Sequence, residues 1–213
     1  MTRRAVPSAF IFAAMVGFAL LLWGCSQSSL VNMWRDESFT QPPMKSMMVI
    51  VMRNDPAIRR LWEDGFVAEL AKHGVSATPS YRFFGDAIPD TQQVVETVKA
   101  DKIEGVLISR RLPNETLETN VPGYVTKSPE MRYNPWTNMY YTYYRETYVP
   151  GYTETANLVR HVVQVWTTSE SGRLVWTGTG EFIDPASSAA VNREITGMVI
   201  PELEKAGMIP ASK

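Results

Sequence analysis

The chain has 213 residues, with 21 Lys and Arg against 22 Asp and Glu and a formal charge of -1. That balance gives no basic footprint for nucleic acid or anionic lipid, and a single cysteine excludes an internal disulfide. The length suits one domain of ordinary size with an appended segment, enough to bury a sizeable core.

The first 25 residues are the most informative. Arg3 and Arg4 precede an uncharged apolar run from Ala5 to Trp23, and Leu22-Trp23-Gly24-Cys25 is followed by the polar run Ser26-Gln27-Ser28-Ser29. A basic start, an apolar middle and a small residue at the cut are the layout of a secretory signal. The run also approaches the roughly 20 residues that span a bilayer, so an uncleaved helix and an ordinary cleaved signal are alternatives. The only cysteine, directly after Gly24, resembles the lipobox of bacterial lipoproteins, although Trp23 stands where a small residue is usual. The resemblance implies that residues 1–24 are removed, that Cys25 is acylated and becomes the membrane anchor, and that Ser26 directs the protein to the periplasmic face of the outer membrane. Without residues 1–24 the Lys and Arg count falls to 19 and the charge to about -3.

Residues 25–43 read as a polar tether with one apolar island around Trp34, whose indole is expected to dock on the domain that follows. That domain, residues 44–213, opens with the run Met47 to Val51, which predicts a strand buried on both faces. Asp55 as cap and Pro56 at the first helical position start a helix that ends at His73 and Gly74. Ile58, Leu61, Trp62, Phe66 and Leu70 form its apolar stripe, and Arg59, Arg60, Glu63 and Asp64 its solvated face. Val75 to Phe84 reads as an edge strand because of Pro79. Asp90 or Thr91 caps a second helix to about Ala100, and Ile103 to Ile108 is a third strand.

Beyond Leu112 the pattern changes. Asn114 to Thr126 is polar and extended, and an insertion at about residues 128–152 holds seven of the nine tyrosines. Asn157 to Trp166 alternates, with Val159, His161, Val163 and Val165 on one face. A turn at residues 169–172 joins it to a strand from Leu174 to Phe182. Ser187 or Ser188 then caps a last helix, which Pro201 kinks or restarts. The order predicts a single α/β (α+β) domain: β-α-β-α-β, an antiparallel hairpin and a C-terminal helix, with a mixed sheet of about five strands.

Few side chains carry recognisable chemistry. His73 reads as a cation in the last turn of its helix and His161 as a core residue, so neither a metal site nor a cofactor site is legible. No Gly-x-Ser-x-Gly elbow accompanies the serines. Gly178-Thr179-Gly180 reads as small residues beside Trp166 or Trp176 rather than a phosphate loop. Glu63, Asp64 and Glu181 are the candidate acids of a glycan-acting enzyme, with Glu63 and Asp64 more simply an exposed ion-pair cluster beside Arg59 and Arg60.

The insertion looks specialised. Tyr133, Trp136, Tyr140, Tyr141, Tyr143, Tyr144, Tyr148 and Tyr152 form either a long β-hairpin with both faces covered or a surface that contacts a partner or glycan.

The strand Met47 to Met52, the helix Arg59 to His73 and the segment Ala100 to Ile108 resemble the small periplasmic α/β domains of envelope lipoproteins and secretion factors, such as the amino-terminal domain of TolB and the curli-secretion lipoproteins. The resemblance is one of architecture. Together with the lipobox it implies a non-enzymatic binding or scaffold module of the bacterial envelope. The alternatives are a subunit of an envelope assembly or secretion complex, or an enzyme acting on peptidoglycan or polysaccharide. A protein partner in the envelope and no nucleic acid are expected.

Overall fold

The computed structural model describes residues 28–169 and 172–212. Residues 1–24 and Cys25 lie outside the described residues, and so does part of the turn expected at 169–172.

Among the described residues nine strands and four helices follow one another, many of them started or ended by a local signal in the sequence. β1 (Ser28–Arg35) and β2 (Ser46–Met52) precede α1 (Pro56–Lys72). The Asp55 carboxylate accepts the N–H groups of Ala57 and Ile58 at the start of α1, and Gly74 ends it at φ +72°, a conformation glycine adopts without strain. β3 (Ser76–Pro79) is followed by a single turn of helix, α2 (Tyr81–Phe84), so the expected strand to Phe84 is cut short after Pro79. α3 (Thr91–Ala100) starts with a capping box in which Asp90 and Gln93 satisfy one another's backbone N–H. Then come β4 (Gly105–Arg111), β5 (Glu115–Val121), β6 (Tyr124–Asn134), β7 (Met139–Val149), β8 (Tyr152–Thr167), β9 (Arg173–Ile183) and α4 (Ser188–Lys205). Ser187 caps α4, which runs on through Pro201 as one element.

The main sheet has the order β1-β9-β8-β4-β2-β3, with β5 pairing the first half of β8. β3, β2 and β4 are mutually parallel, whereas β8, β9 and β1 are antiparallel neighbours. This is a mixed α+β domain as the element order predicts, but the sheet has seven strands rather than about five. The two extra strands come from segments without strand patterning. β5 arises in the polar stretch after Asn114. β1 lies within residues 25–43, expected as a tether, and its first half pairs Ser28 to Val31 with Phe182 to Thr179. Trp34 faces Thr177 across this ladder and stays half exposed.

The core lies on both faces of the sheet. α1 and α4 cover one face, where Trp62, Phe66, Leu70, Ile195, Val199 and Leu203 pack on Val49, Val51, Leu107, Val163 and Val165. On the other face Val98 of α3 closes over Met48, Ile50 and Val106. The alternation of β8 decides which side chains meet α1: Val159, His161, Val163 and Val165 are all buried on that face. Gly178 leaves room for the Trp176 ring, since a Cβ there would lie 2.6 Å from it.

Candidate functional site

β6 and β7 leave the main sheet as a two-stranded ribbon that pairs with no other strand among the described residues. Eleven residue pairs join them, a span of roughly 35 Å at about 3.3 Å per residue. The ribbon continues the β5–β8 pairing, and the break between the two falls at Pro122-Gly123 and Pro150-Gly151. Proline donates no N–H to a ladder. The two glycines face each other so closely that a Cβ on Gly151 would lie 2.7 Å from the backbone nitrogen of Gly123.

The ribbon carries every aromatic residue singled out above except Tyr152, which starts β8. Both faces are open to solvent, not covered as one of the two expectations had it, because no other element among the described residues packs over them. On one face Tyr133 and Tyr140 are directly opposite, with ring centroids 5.2 Å apart, and Tyr144 faces Pro129 and Tyr148 faces Val125 along the same side. On the other, Tyr141 and Tyr143 lie among charges: the Arg132 guanidinium sits 4.8 Å from the Tyr143 ring centre, and Arg145 pairs with Glu130 at 2.9 Å. Trp136 stands at the tip, 95% exposed. Tyr124 at the root of β6 belongs to the same surface, and its place in an otherwise polar segment is why sequence patterning missed it.

A second candidate lies at the carboxyl ends of β2 and β4, the place where open α/β sheets present ligand crevices. A cleft of about 340 Å³ is lined by Arg53, Trp62, Arg111, Val159, His161, Asp184 and the first residues of α4. His161 is buried at 2% exposure with its ring stacked on Trp62, centroids 4.2 Å apart. Its Nδ1 has no hydrogen-bond partner among the described residues. Burial first, and then the positive charges of Arg53 and Arg111, push its pKa down to about 3, so the ring is neutral at pH 7. Burial and the adjacent Arg111 also lower the pKa of Arg53, which Asp55 partly offsets. The Trp62 indole donates to Ser188 Oγ at 2.9 Å, and Asp184 Oδ1 accepts the backbone N–H of Asn157 at 2.8 Å. Sequence reading placed His161 in the core. The signals for the cleft are the arginines at the ends of two apolar strands, Arg53 just after β2 and Arg111 closing β4.

The candidate acids do not converge. Glu63 and Arg59, expected on the solvated face of α1, are fully buried. The Glu63 carboxylate accepts the N–H groups of Val51 and Tyr81 at 3.1 Å and the Ser80 hydroxyl at 2.6 Å. Arg59 lies 3.8 Å from it and donates to the carbonyls of Gly85 and Asp86. The pair thus pins the loop after β3 to α1, because each buried charge needs partners. Asp64 accepts from the Tyr81 hydroxyl at 2.7 Å, while Glu181 stands opposite Arg160 in the β8–β9 register, on the face of the sheet away from α1. His73 ends α1 with Nδ1 2.7 Å from Glu204 of α4. Among the described residues no three His, Cys, Asp or Glu side chains gather as a metal site requires, and no helix is long and apolar enough to cross a membrane.

No protein-family model matches this chain, and no curated protein does. Among solved structures it is similar to the PelC dodecamer from Paraburkholderia phytofirmans in two crystal forms. One has 12% identity and a TM-score of 0.44 over 83% of this chain and 96% of that one. The other has 11% identity and a TM-score of 0.45 over 86% and 99%. A PDZ domain protein from Parabacteroides distasonis is also similar, at 12% identity and a TM-score of 0.38 over 93% of this chain and 41% of that one. At these identities and scores the likeness carries no argument about function, which rests on the residues themselves.

Proposed function

We propose that this chain is a lipoprotein of the bacterial envelope, anchored at the outer membrane through Cys25, which acts without catalysis as a binding or scaffold subunit of an envelope assembly or secretion complex. The β6–β7 ribbon is its partner surface. One observation carries the reading: over eleven residue pairs the ribbon exposes aromatic side chains on both faces. A protein seldom leaves such apolar area to water unless something covers it, and tyrosine gives a partner large rigid contacts at little entropic cost. The basic-apolar-cysteine layout of residues 1–25 supports the address.

Replacing residues 124–149 by a short turn should leave the main domain folded while its envelope partner no longer co-purifies from detergent-solubilised membranes. Retained co-purification would remove the ribbon from the interface. Independently, Cys25→Ser should move the protein from the membrane to the soluble fraction, and mass spectrometry should find diacylglyceryl and acyl groups on wild-type Cys25. An unmodified Cys25 thiol overturns the anchor.

A further inference from the structure

The cleft between the ends of β2 and β4 and the start of α4 offers donors that the fold itself leaves unused. Arg53 and Arg111 both line it. Arg111 donates to Asn114 Oδ1, and Arg53 feels the charge of Asp55. Ser187 Oγ accepts from the Ala190 N–H and Ser188 Oγ from the Trp62 indole, so each hydroxyl keeps its own proton to give away. The first turn of the 18-residue helix α4 opens here, with N–H groups that have no intrahelical partner and the positive end of the helix dipole. His161, buried and with an unpartnered Nδ1, forms the floor beside Trp62.

The acidic member of the lining is Asp184, whose Oδ1 already takes both the backbone and side-chain N–H groups of Asn157. The remaining capacity is therefore dominated by donors, arriving from two strand ends and one helix start. A carboxylate presents its acceptors in one plane, whereas a tetrahedral oxyanion presents acceptors in all three directions. The cleft is also larger than inorganic phosphate needs, and Trp62, Val159 and Val191 supply an apolar wall.

We infer that this cleft binds the phosphate group of an organic phosphate ester, held between Arg53, Arg111 and the first turn of α4, with the organic part against Trp62, Val159 and Val191. The same chemistry is offered by a soluble phosphate ester and by a phospholipid headgroup, and the two are separable. The full chain, purified in non-ionic detergent, is titrated with inorganic phosphate, with glycerol phosphate and with micelles doped with phosphatidylglycerol. Calorimetry measures affinity, and NMR follows the imidazole signals of His161.

The expected result is saturable binding that shifts the His161 signals, with affinity falling about tenfold or more in Arg53→Gln and in Arg111→Gln, each of which loses a charge-assisted contact. Arg60→Gln should bind as wild type, since that guanidinium pairs with Asp86 outside the cleft. Arg53→Lys and Arg111→Lys keep the charge but lose the planar fork. They should weaken binding in the same direction, and they replace any glutamine variant that circular dichroism finds unfolded. Response to glycerol phosphate without the doped micelles assigns a soluble ester, and the reverse assigns a lipid headgroup. If none of the probes binds, or if both arginine positions tolerate substitution, the inference is overturned.

Discussion

Trp62 of α1 and His161 of β8 lie face to face, their ring centroids 4.2 Å apart and their planes 17° from parallel. The stack joins helix to sheet at the floor of the cleft, and it holds an ionisable ring where charge is costly. The consequence is a dependence of stability on pH. In the unfolded chain the imidazole titrates near its ordinary 6.5, and in the fold at about 3. Between those values the unfolded chain binds the extra proton, so stability falls as pH drops through this window and recovers above it. Between about pH 7.5 and pH 5 the loss assigned to His161 is about 2 kcal/mol. His161→Phe keeps a ring against Trp62 and removes the proton site. Urea unfolding at the two pH values should therefore show a smaller acid loss in the variant, and equal losses would refute the assignment.

Glu63→Ala removes the carboxylate that holds Val51, Ser80 and Tyr81 and leaves the Arg59 guanidinium buried without it. The expected cost is about 3–5 kcal/mol, read from urea midpoints. A cost below about 1 kcal/mol would be that of a surface pair and would place Glu63 in water.

The close approach of Gly178 to the Trp176 ring predicts that Gly178→Val destabilises the domain by about 1–3 kcal/mol, through overpacking of a filled core. Thermal unfolding checks it. Gly197→Ala, at an exposed helical position of α4 with open space around it, should not destabilise the domain.

The ribbon should behave as a separate unit of low stability. Its hydrogen bonds are solvent-exposed and join only two strands, so its amides should exchange well before those of β4 and β8. Trp136→Ala and Tyr144→Ala should change the unfolding free energy by no more than about 0.5 kcal/mol while weakening partner capture. Ribbon amides as protected as those of β4 would contradict this reading.

Local patterns made much of the fold legible. Asp55-Pro56, Asp90 with Gln93, and Ser187 mark helix starts because a cap is a contact between neighbours in sequence. The alternation of Val159, His161, Val163 and Val165 marks a face because the strand period is two. The same logic could have found the break between ribbon and sheet, since two Pro-Gly pairs occur on opposite strands. It fails for Arg59 and Glu63. An i, i+4 ion pair has the same spelling on an exposed helix as on a buried one, and what buries this one is the loop from Ser80 to Asp86 folding back over it.

By itself, then, the sequence determined the order of five strands and three long helices, the caps that start those helices, the inward face of β8 and the basic-apolar-cysteine layout of residues 1–25, all of which depend on residues close along the chain. Tertiary structure alone decided that β1 would join β9 across about 150 residues, that the tyrosine ribbon would stand clear of the core, and that Arg53, Arg111, His161 and the start of α4 would meet in one cleft. These depend on which distant surfaces exclude water together, and no stretch of local pattern encodes that choice.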